Sequence, residues 1–319
     1  MPDQPPREDE QSRAHHEVRA AIEALPSSLA IDPAAATVTT LKGLTNRNYL
    51  IDCGDRSYVL RLAGPATGRY IDRTREAAHA RAAHAAGIAP ALFFADPETG
   101  TMLTEYLPLA PVTGDAIRND PAQQRRCALA LRRLHALSPP FEGRFDPFEH
   151  IDRYLAVLAA LDGAPPAELG AVQRAVEPLR ALVATASVRS CHVDTYCENF
   201  LDDGRRTLMI DWEYSGTGDP VWDLANLSRE NALDAQAGAE LLRAYAGTQP
   251  APELRARFEL YKPLCDLFWA AWCLVQVAAG NDTGDWALSA RRRLAAAEGA
   301  LGSAQFGALL ATATAPPQR

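Results

Sequence analysis

The pattern of apolar and polar positions changes character twice along the chain. From His15 to Leu25 apolar residues recur at helical spacing and predict a first helix. From Thr37 to Leu62 short β-prone runs alternate with glycine-bearing turns, and Gly54-Asp55 separates Tyr49–Asp52 from Tyr58–Leu62 as the turn of a hairpin does. "DRTREAAHARAAHAAG" then reads as an alanine-rich helix capped by Gly87. "APALFFAD" and "TMLTEYL" read as two further strands around a Pro97–Gly100 turn.

Beyond Pro108 helical spacing dominates. "AQQRRCALALRRLHAL" stops before Pro139-Pro140, and "FEHIDRYLAVLAAL" and "ELGAVQRAVEPLRALVATA" continue the pattern. One β-like island, Val188 to Trp212, interrupts it before helices return to about Gly302. This order predicts an α+β protein of two lobes with a cleft between them. Residues 1–12 are expected to be a disordered tail, 13–107 a small β-rich N-lobe, 108–302 a larger helical C-lobe, and 303–319 a loose C-terminal tail.

Composition narrows the function. The chain has 319 residues, enough for two lobes with a buried core, and a formal net charge of −8. That charge argues against a nucleic-acid partner. No apolar run reaches the roughly 18 to 20 residues that span a bilayer. The polar start, Met1 to Gln11, lacks a signal-peptide core, so no membrane insertion and a cytoplasmic location are expected. The six cysteines are scattered without a CxxC pair and read as small apolar side chains.

The chemistry concentrates in "CHVDTYCENFLDDGRRTLMIDWEYSG". His192, Asp194 and Asn199 form H-x-D-x-x-x-x-N, and Asp211 follows the apolar run Leu208-Met209-Ile210. Phosphoryl transfer needs a carboxylate that orients the attacking hydroxyl and accepts its proton, and oxygen ligands that hold Mg²⁺ against phosphates. Asp194 suits the first role, and Asn199 with Asp211 the second. His192 is expected to brace the loop. A plain hairpin with a turn at Asp202-Asp203-Gly204 is compatible with the same stretch.

Upstream, Gly43, Leu44, Thr45 and Asn46 join two predicted strands, where backbone N–H groups can approach phosphate oxygens. Arg61 and Glu76 follow on adjacent elements, and an ion pair between them would set the guanidinium on the nucleotide. Downstream, Asp223 is expected to support the His192–Asp194 loop, with Asp219 divided between that role and helix capping.

With these residues in place, the sequence resembles the choline/ethanolamine kinase branch of the aminoglycoside-phosphotransferase-like kinases. The resemblance rests on Gly43–Asn46, "VLRL", Glu76, "RLHAL", "CHVDTYCENFL", "MIDWEYSG", "DPVWDLANLS" and "YKPLCDLFWAAWCLVQ". It implies a protein-kinase-like fold, ATP and Mg²⁺ between the lobes, and a small-molecule alcohol as acceptor. Thr104 to Leu107 would be the hinge facing adenine, with Glu105 and Leu107 beside the nucleotide. Val193 departs from the Asn or Gly common in such enzymes, and Tyr196 from a polar amide.

Trp269 and Trp272 share a face of a predicted helix, and aromatic faces attract quaternary ammonium groups. The family places such a pair in a choline pocket; a core role is the competing reading. Tyr214, Glu213 and Glu230 would add aromatic and anionic walls. Choline is the expected substrate. Ethanolamine, thiamine, an aminoglycoside or a sugar would need the same catalytic set. A silent nucleotide-binding pseudokinase is the remaining alternative, against which intact Asp194, Asn199 and Asp211 argue.

Overall fold

The computed structural model describes residues 8–43, 45–64, 68 and 71–315, with 8–15 as backbone only. The small lobe contains α1 (Glu8–Glu23), β1 (Thr37–Leu41), β2 (Arg47–Asp52), β3 (Ser57–Leu62), α2 (Arg73–Ala85), β4 (Leu92–Ala95) and β5 (Met102–Glu105). Its five strands form one antiparallel sheet in the order β1-β2-β3-β5-β4. Alternation along β2 and β3 buries Tyr49, Ile51, Tyr58, Leu60 and Leu62 against Val18, Ile22 and Leu25 from the α1 region. The same alternation turns Arg61 to the opposite face, toward the large lobe.

A short strand β6 (Ala110–Pro111) leads into α3 (Gly114–Asn119), α4 (Pro121–His135), α5 (Pro147–Ala160), α6 (Ala167–Val176) and α7 (Arg180–Thr185). Next come β7 (Arg189–Cys191), β8 (Phe200–Asp202), β9 (Thr207–Met209) and β10 (Gly216–Gly218). The chain ends with α8 (Val221–Glu230), α9 (Ala235–Ala246), α10 (Pro252–Ala278), α11 (Trp286–Leu301) and α12 (Gln305–Thr314). The 27-residue α10 is the spine of this lobe, buried along its middle from Leu264 to Cys273. It packs on α5, α8, α11 and α12. No single helix among the described residues is long and apolar enough to cross a membrane.

Three expectations change. The first helix begins at Glu8, not His15, so residues 8–12 of the expected tail are helical. Residues 1–7 and Leu44 lie outside the described residues. The helical run from Glu168 to Ala186 breaks at Pro178, which cannot donate a helical hydrogen bond, leaving a 3₁₀ turn between α6 and α7. The expected loose C-terminal tail contains α12. Its Phe306, Leu309, Leu310 and Ala313 form a helical stripe packed against the core, a signal that the Ala/Thr-rich composition hides.

Candidate active site

The loop from His192 to Tyr196 leaves the end of β7 and is held from below by α8. Asp223 is fully buried; its Oδ2 accepts the His192 N–H and its Oδ1 the Val193 N–H, both at 2.8 Å. Trp222 Nε1 donates to the Val193 carbonyl at 3.1 Å, and the Thr195 hydroxyl donates to the Asp223 carbonyl at 2.8 Å. From α4, His135 Nε2 lies 3.0 Å from Asp223 Oδ2. Consecutive N–H groups converge on one carboxylate because Val193 takes φ 74°, a left-handed conformation that Gly and Asn enter far more cheaply. The sequence departure at Val193 therefore falls on a strained position. Asp219 is buried and accepts from the Val221 N–H at 3.0 Å and the Tyr261 hydroxyl at 2.7 Å. It caps and anchors the start of α8, leaving the loop to Asp223.

His192 donates through Nε2 to the Ile210 carbonyl at 2.8 Å, and its ring packs on Trp212 at 4.7 Å. Burial pushes its imidazole below the usual range, which keeps it neutral. This is the expected brace, joining the loop to the segment that carries Asp211. The Asn199 amide donates at 3.0 Å to both the carbonyl and Oδ2 of Asp194, leaving its oxygen for another partner. Burial, then the charges of Glu230 and Glu213, push the Asp194 carboxyl up to about 7 against the opposing pull of the Asn199 amide.

Facing this loop is a buried charge network between the lobes. Arg61 from β3 and Glu76 from α2 form a two-point ion pair, with Nη2 and Oε2 at 2.8 Å. Arg73 Nη1 donates to Glu76 Oε2 at 2.9 Å and to Glu213 Oε2 at 3.0 Å. The Asn46 amide donates to Glu213 Oε2 at 2.9 Å. Arg61 also reaches Asp211, 3.8 Å away. Burial alone would raise the Glu76 carboxyl, but Arg61 and Arg73 hold it below its usual range. Asp211 fares differently: burial and the charge of Glu213 push it well above the carboxylate range.

The geometry fits a hard cation. Asp211 Oδ1 is buried without a hydrogen-bond partner, and carboxylate oxygens of Glu76, Asp211 and Glu213 lie within 4.8 Å of one another. The guanidinium groups of Arg61 and Arg73 are engaged by Glu76 and Glu213. An ionised Asp211 would therefore add a negative charge with no partner closer than 3.8 Å, which is why burial pushes its carboxyl up when no cation is bound. Oxygen donors with a charge deficit are what Mg²⁺ takes.

Other predicted residues fall as follows. A Cβ at Gly43 would come within 2.1 Å of the Asn46 carbonyl, so only glycine fits that turn, while Thr45 is half-buried. The Asn46 side chain turns inward to Glu213, so any phosphate contact from it must come through its backbone. Glu105 ends β5 with its N–H on the Ala91 carbonyl at 2.8 Å, and the Leu107 carbonyl accepts from Leu109 at 2.7 Å. Glu213, expected as a wall of the substrate pocket, instead faces the small lobe, because Arg73 and Asn46 neutralise and bind it there. Glu230 is likewise engaged, with both oxygens on Arg293 at 2.6 and 2.7 Å.

Tyr214, Trp269 and Trp272 do come together. Tyr214 and Trp269 meet edge to face at 5.7 Å, Trp269 and Trp272 at 5.8 Å, and Trp272 Nε1 donates to the Tyr214 hydroxyl at 2.9 Å. Trp286 from α11 adds a fourth ring, 5.1 Å from Trp272. Sequence reasoning missed Trp286 because it sought partners on one helix. It also missed Arg73, whose position three residues before Glu76 is the only local signal that both could serve one cluster.

Two lobes with a carboxylate loop on one side of the cleft and a buried Arg–Glu clamp on the other define a protein-kinase-like phosphotransferase. The chain belongs to the phosphotransferase enzyme family, whose family model matches residues 37–261. It is similar to a choline/ethanolamine kinase family protein from Mesorhizobium loti, with 36% identity, TM-score 0.81, and coverage of 93% of this chain and 98% of the other. It is also similar to the choline kinase LicA from Streptococcus pneumoniae, with 28% identity, TM-score 0.77, and coverage of 90% and 99%. Among curated proteins, the Haemophilus influenzae protein LicA is 28% identical over 256 residues, 77% of this chain and 95% of the other.

Proposed function

We propose that the protein transfers the γ-phosphoryl group of ATP to the hydroxyl of choline. The observation that carries the choice of acceptor is the four-ring cluster of Tyr214, Trp269, Trp272 and Trp286. A quaternary ammonium group has no N–H to donate, and aromatic faces satisfy it by about 0.5 to 2 kcal/mol each. The Trp269 and Trp272 indole N–H groups are already spent on Asn226 and Tyr214, which fixes the rings for such contact. The similarity to choline kinases points the same way.

In this reading Asp194 orients the choline hydroxyl and takes its proton as the oxygen attacks the γ-phosphorus and ADP leaves. A carboxyl pushed up to about 7 is matched to accepting a proton near neutral pH. Arg61, fixed by Glu76, contacts the nucleotide phosphates, and the backbone of Gly43–Asn46 covers them. Asn199 and Asp211 hold Mg²⁺, which when bound offsets phosphate charge. Asp223 acts through the loop it holds. The test is a coupled ADP-release screen across choline, ethanolamine, thiamine, kanamycin and several sugars. Choline is expected to give the highest kcat/KM. Turnover of only another alcohol would overturn the choline assignment, and nucleotide binding without any turnover would leave a pseudokinase.

A further inference from the structure

We infer that Asn226 is a positioning residue that sets the distance between Asp194 and the aromatic cluster, and thereby the length of amino alcohol the enzyme prefers. This deepens the choline reading and rests on it. Asn226 is fully buried on α8, a place where leucine would pack at no polar cost. Its amide nitrogen donates to the Thr195 hydroxyl at 3.1 Å, and its amide oxygen accepts from Trp269 Nε1 at 2.6 Å. The Thr195 hydroxyl spends its own proton on the Asp223 carbonyl, so toward Asn226 it can only accept. That fixes which way the amide points: nitrogen to the loop, oxygen to the indole.

Thr195 follows Asp194 directly and is itself fully buried. One amide thus bridges the residue next to the proposed base and the indole of the proposed cation site. An acceptor must reach from one to the other with its hydroxyl at Asp194 and its ammonium against Trp269. Trp269 also meets Tyr214 and Trp272 edge to face, so an indole released from Asn226 would displace the other rings of the cluster. With the bridge intact the span is fixed, and an alcohol one methylene longer is misplaced at one end. Without it the two ends are free to shift relative to each other.

The experiment compares the wild type with Asn226→Leu and Thr195→Val. The substrates are trimethylammonium alcohols with two, three and four carbons between nitrogen and oxygen. The wild type is expected to favour the two-carbon alcohol sharply. Both variants are expected to lower the two-carbon to three-carbon ratio of kcat/KM by about tenfold, the scale of one buried hydrogen bond, with the KM for ATP nearly unchanged. A merely structural role would lower kcat for all three alcohols in parallel and leave the ratio alone; that result overturns the inference. Should Asn226→Leu fail to fold, Thr195→Val, which deletes a single hydroxyl, carries the test by itself. If the wild type turns over none of the three alcohols, the choline reading fails and this inference with it. An active wild type with an unchanged ratio in the variants overturns this inference alone.

Discussion

Arg61 and Glu76 stand 15 residues apart in sequence, on β3 and α2, and meet through two nitrogen–oxygen contacts in the cleft wall. Both are buried, so the pair holds its geometry where a surface pair would fluctuate. The two residues are expected to fail differently. Arg61→Ala should raise the KM for ATP by about tenfold or more while leaving the KM for the alcohol nearly unchanged. Glu76→Gln should also cost stability, by about 3 kcal/mol, because it leaves Arg61 and Arg73 buried against a neutral amide. Steady-state kinetics and urea denaturation separate the two effects. Equal KM values for ATP in Arg61→Ala and the wild type would remove the clamp from nucleotide binding.

Asp194→Asn should trade catalysis against stability. Turnover is expected to fall by at least ~10², the contribution of a positioned general base. Stability has the opposite sign. A carboxyl whose folded-state pKa rises from 3.8 to about 7 destabilises the fold progressively as pH climbs through that window. The neutral amide lacks this cost, so without added metal the variant should resist urea better than the wild type at pH 8 and lose that advantage near pH 4. A variant less stable than the wild type at pH 8 would contradict the buried-charge account, and near-normal turnover would end the base assignment.

Metal binding makes a separate prediction. Asp211→Asn and Asn199→Ala should each raise the Mg²⁺ concentration needed for half-maximal rate. They should also weaken Mn²⁺ binding measured directly by calorimetry in the presence of a non-hydrolysable ATP analogue. Unchanged titrations in both variants would place the cation elsewhere, with Glu213 the next residue to test, since its carboxylate belongs to the same 4.8 Å cluster.

The elements that the sequence announced are those whose signals are local. H-x-D-x-x-x-x-N lies in one loop, Arg61 and Glu76 occupy adjacent elements, and the hairpin turn at Gly54 has φ 88° as its glycine suggests. What stayed hidden depends on distant partners. Arg73 reads as a surface helix residue until the fold sets Glu213, 140 positions away, against it. Trp286 begins α11, so its neighbour Trp272 shares no helix with it. The directions of Glu213 and Glu230 were illegible for the same reason: a carboxylate near a site has no facing until its guanidinium partner is known. Helix α12 was missed because alanine and threonine mask a four-position apolar stripe.

For the aromatic cluster, Trp269→Ala and Trp272→Ala are each expected to raise the KM for choline by roughly fivefold to thirtyfold, the equivalent of ~1 to 2 kcal/mol of lost cation–π contact. The KM for ATP should stay close to that of the wild type. Ethanolamine, whose ammonium prefers hydrogen-bonding partners, should be the poorer substrate of the wild type and lose less in the variants. If both variants keep the parental KM for choline, the two indoles belong to the core and the cation is held elsewhere.

Val193 offers a prediction whose sign is opposite to the general rule. At most buried positions glycine is a worse replacement than alanine, because it loses more backbone entropy on folding and fills no more space. Val193 is buried in the large-lobe core, and its φ of 74° places a β-branched residue in the left-handed region. For a residue with a Cβ that conformation costs roughly 1 to 2 kcal/mol, whereas glycine adopts it freely. The conformation is enforced from outside, because Asp223 accepts both the His192 and Val193 N–H groups and Trp222 donates to the Val193 carbonyl. Val193→Ala therefore loses the buried methyls and keeps the strain. Val193→Gly loses slightly more apolar surface and sheds the strain. We expect Val193→Gly to be the more stable of the two by about 1 kcal/mol in urea denaturation, with both below the wild type. The loop geometry should survive in both, so turnover by Val193→Gly should stay close to that of the parent. An alanine variant more stable than the glycine variant would mean that the strain at Val193 is relieved in solution, and that the converging N–H groups on Asp223 do not hold the loop as tightly as their 2.8 Å distances indicate.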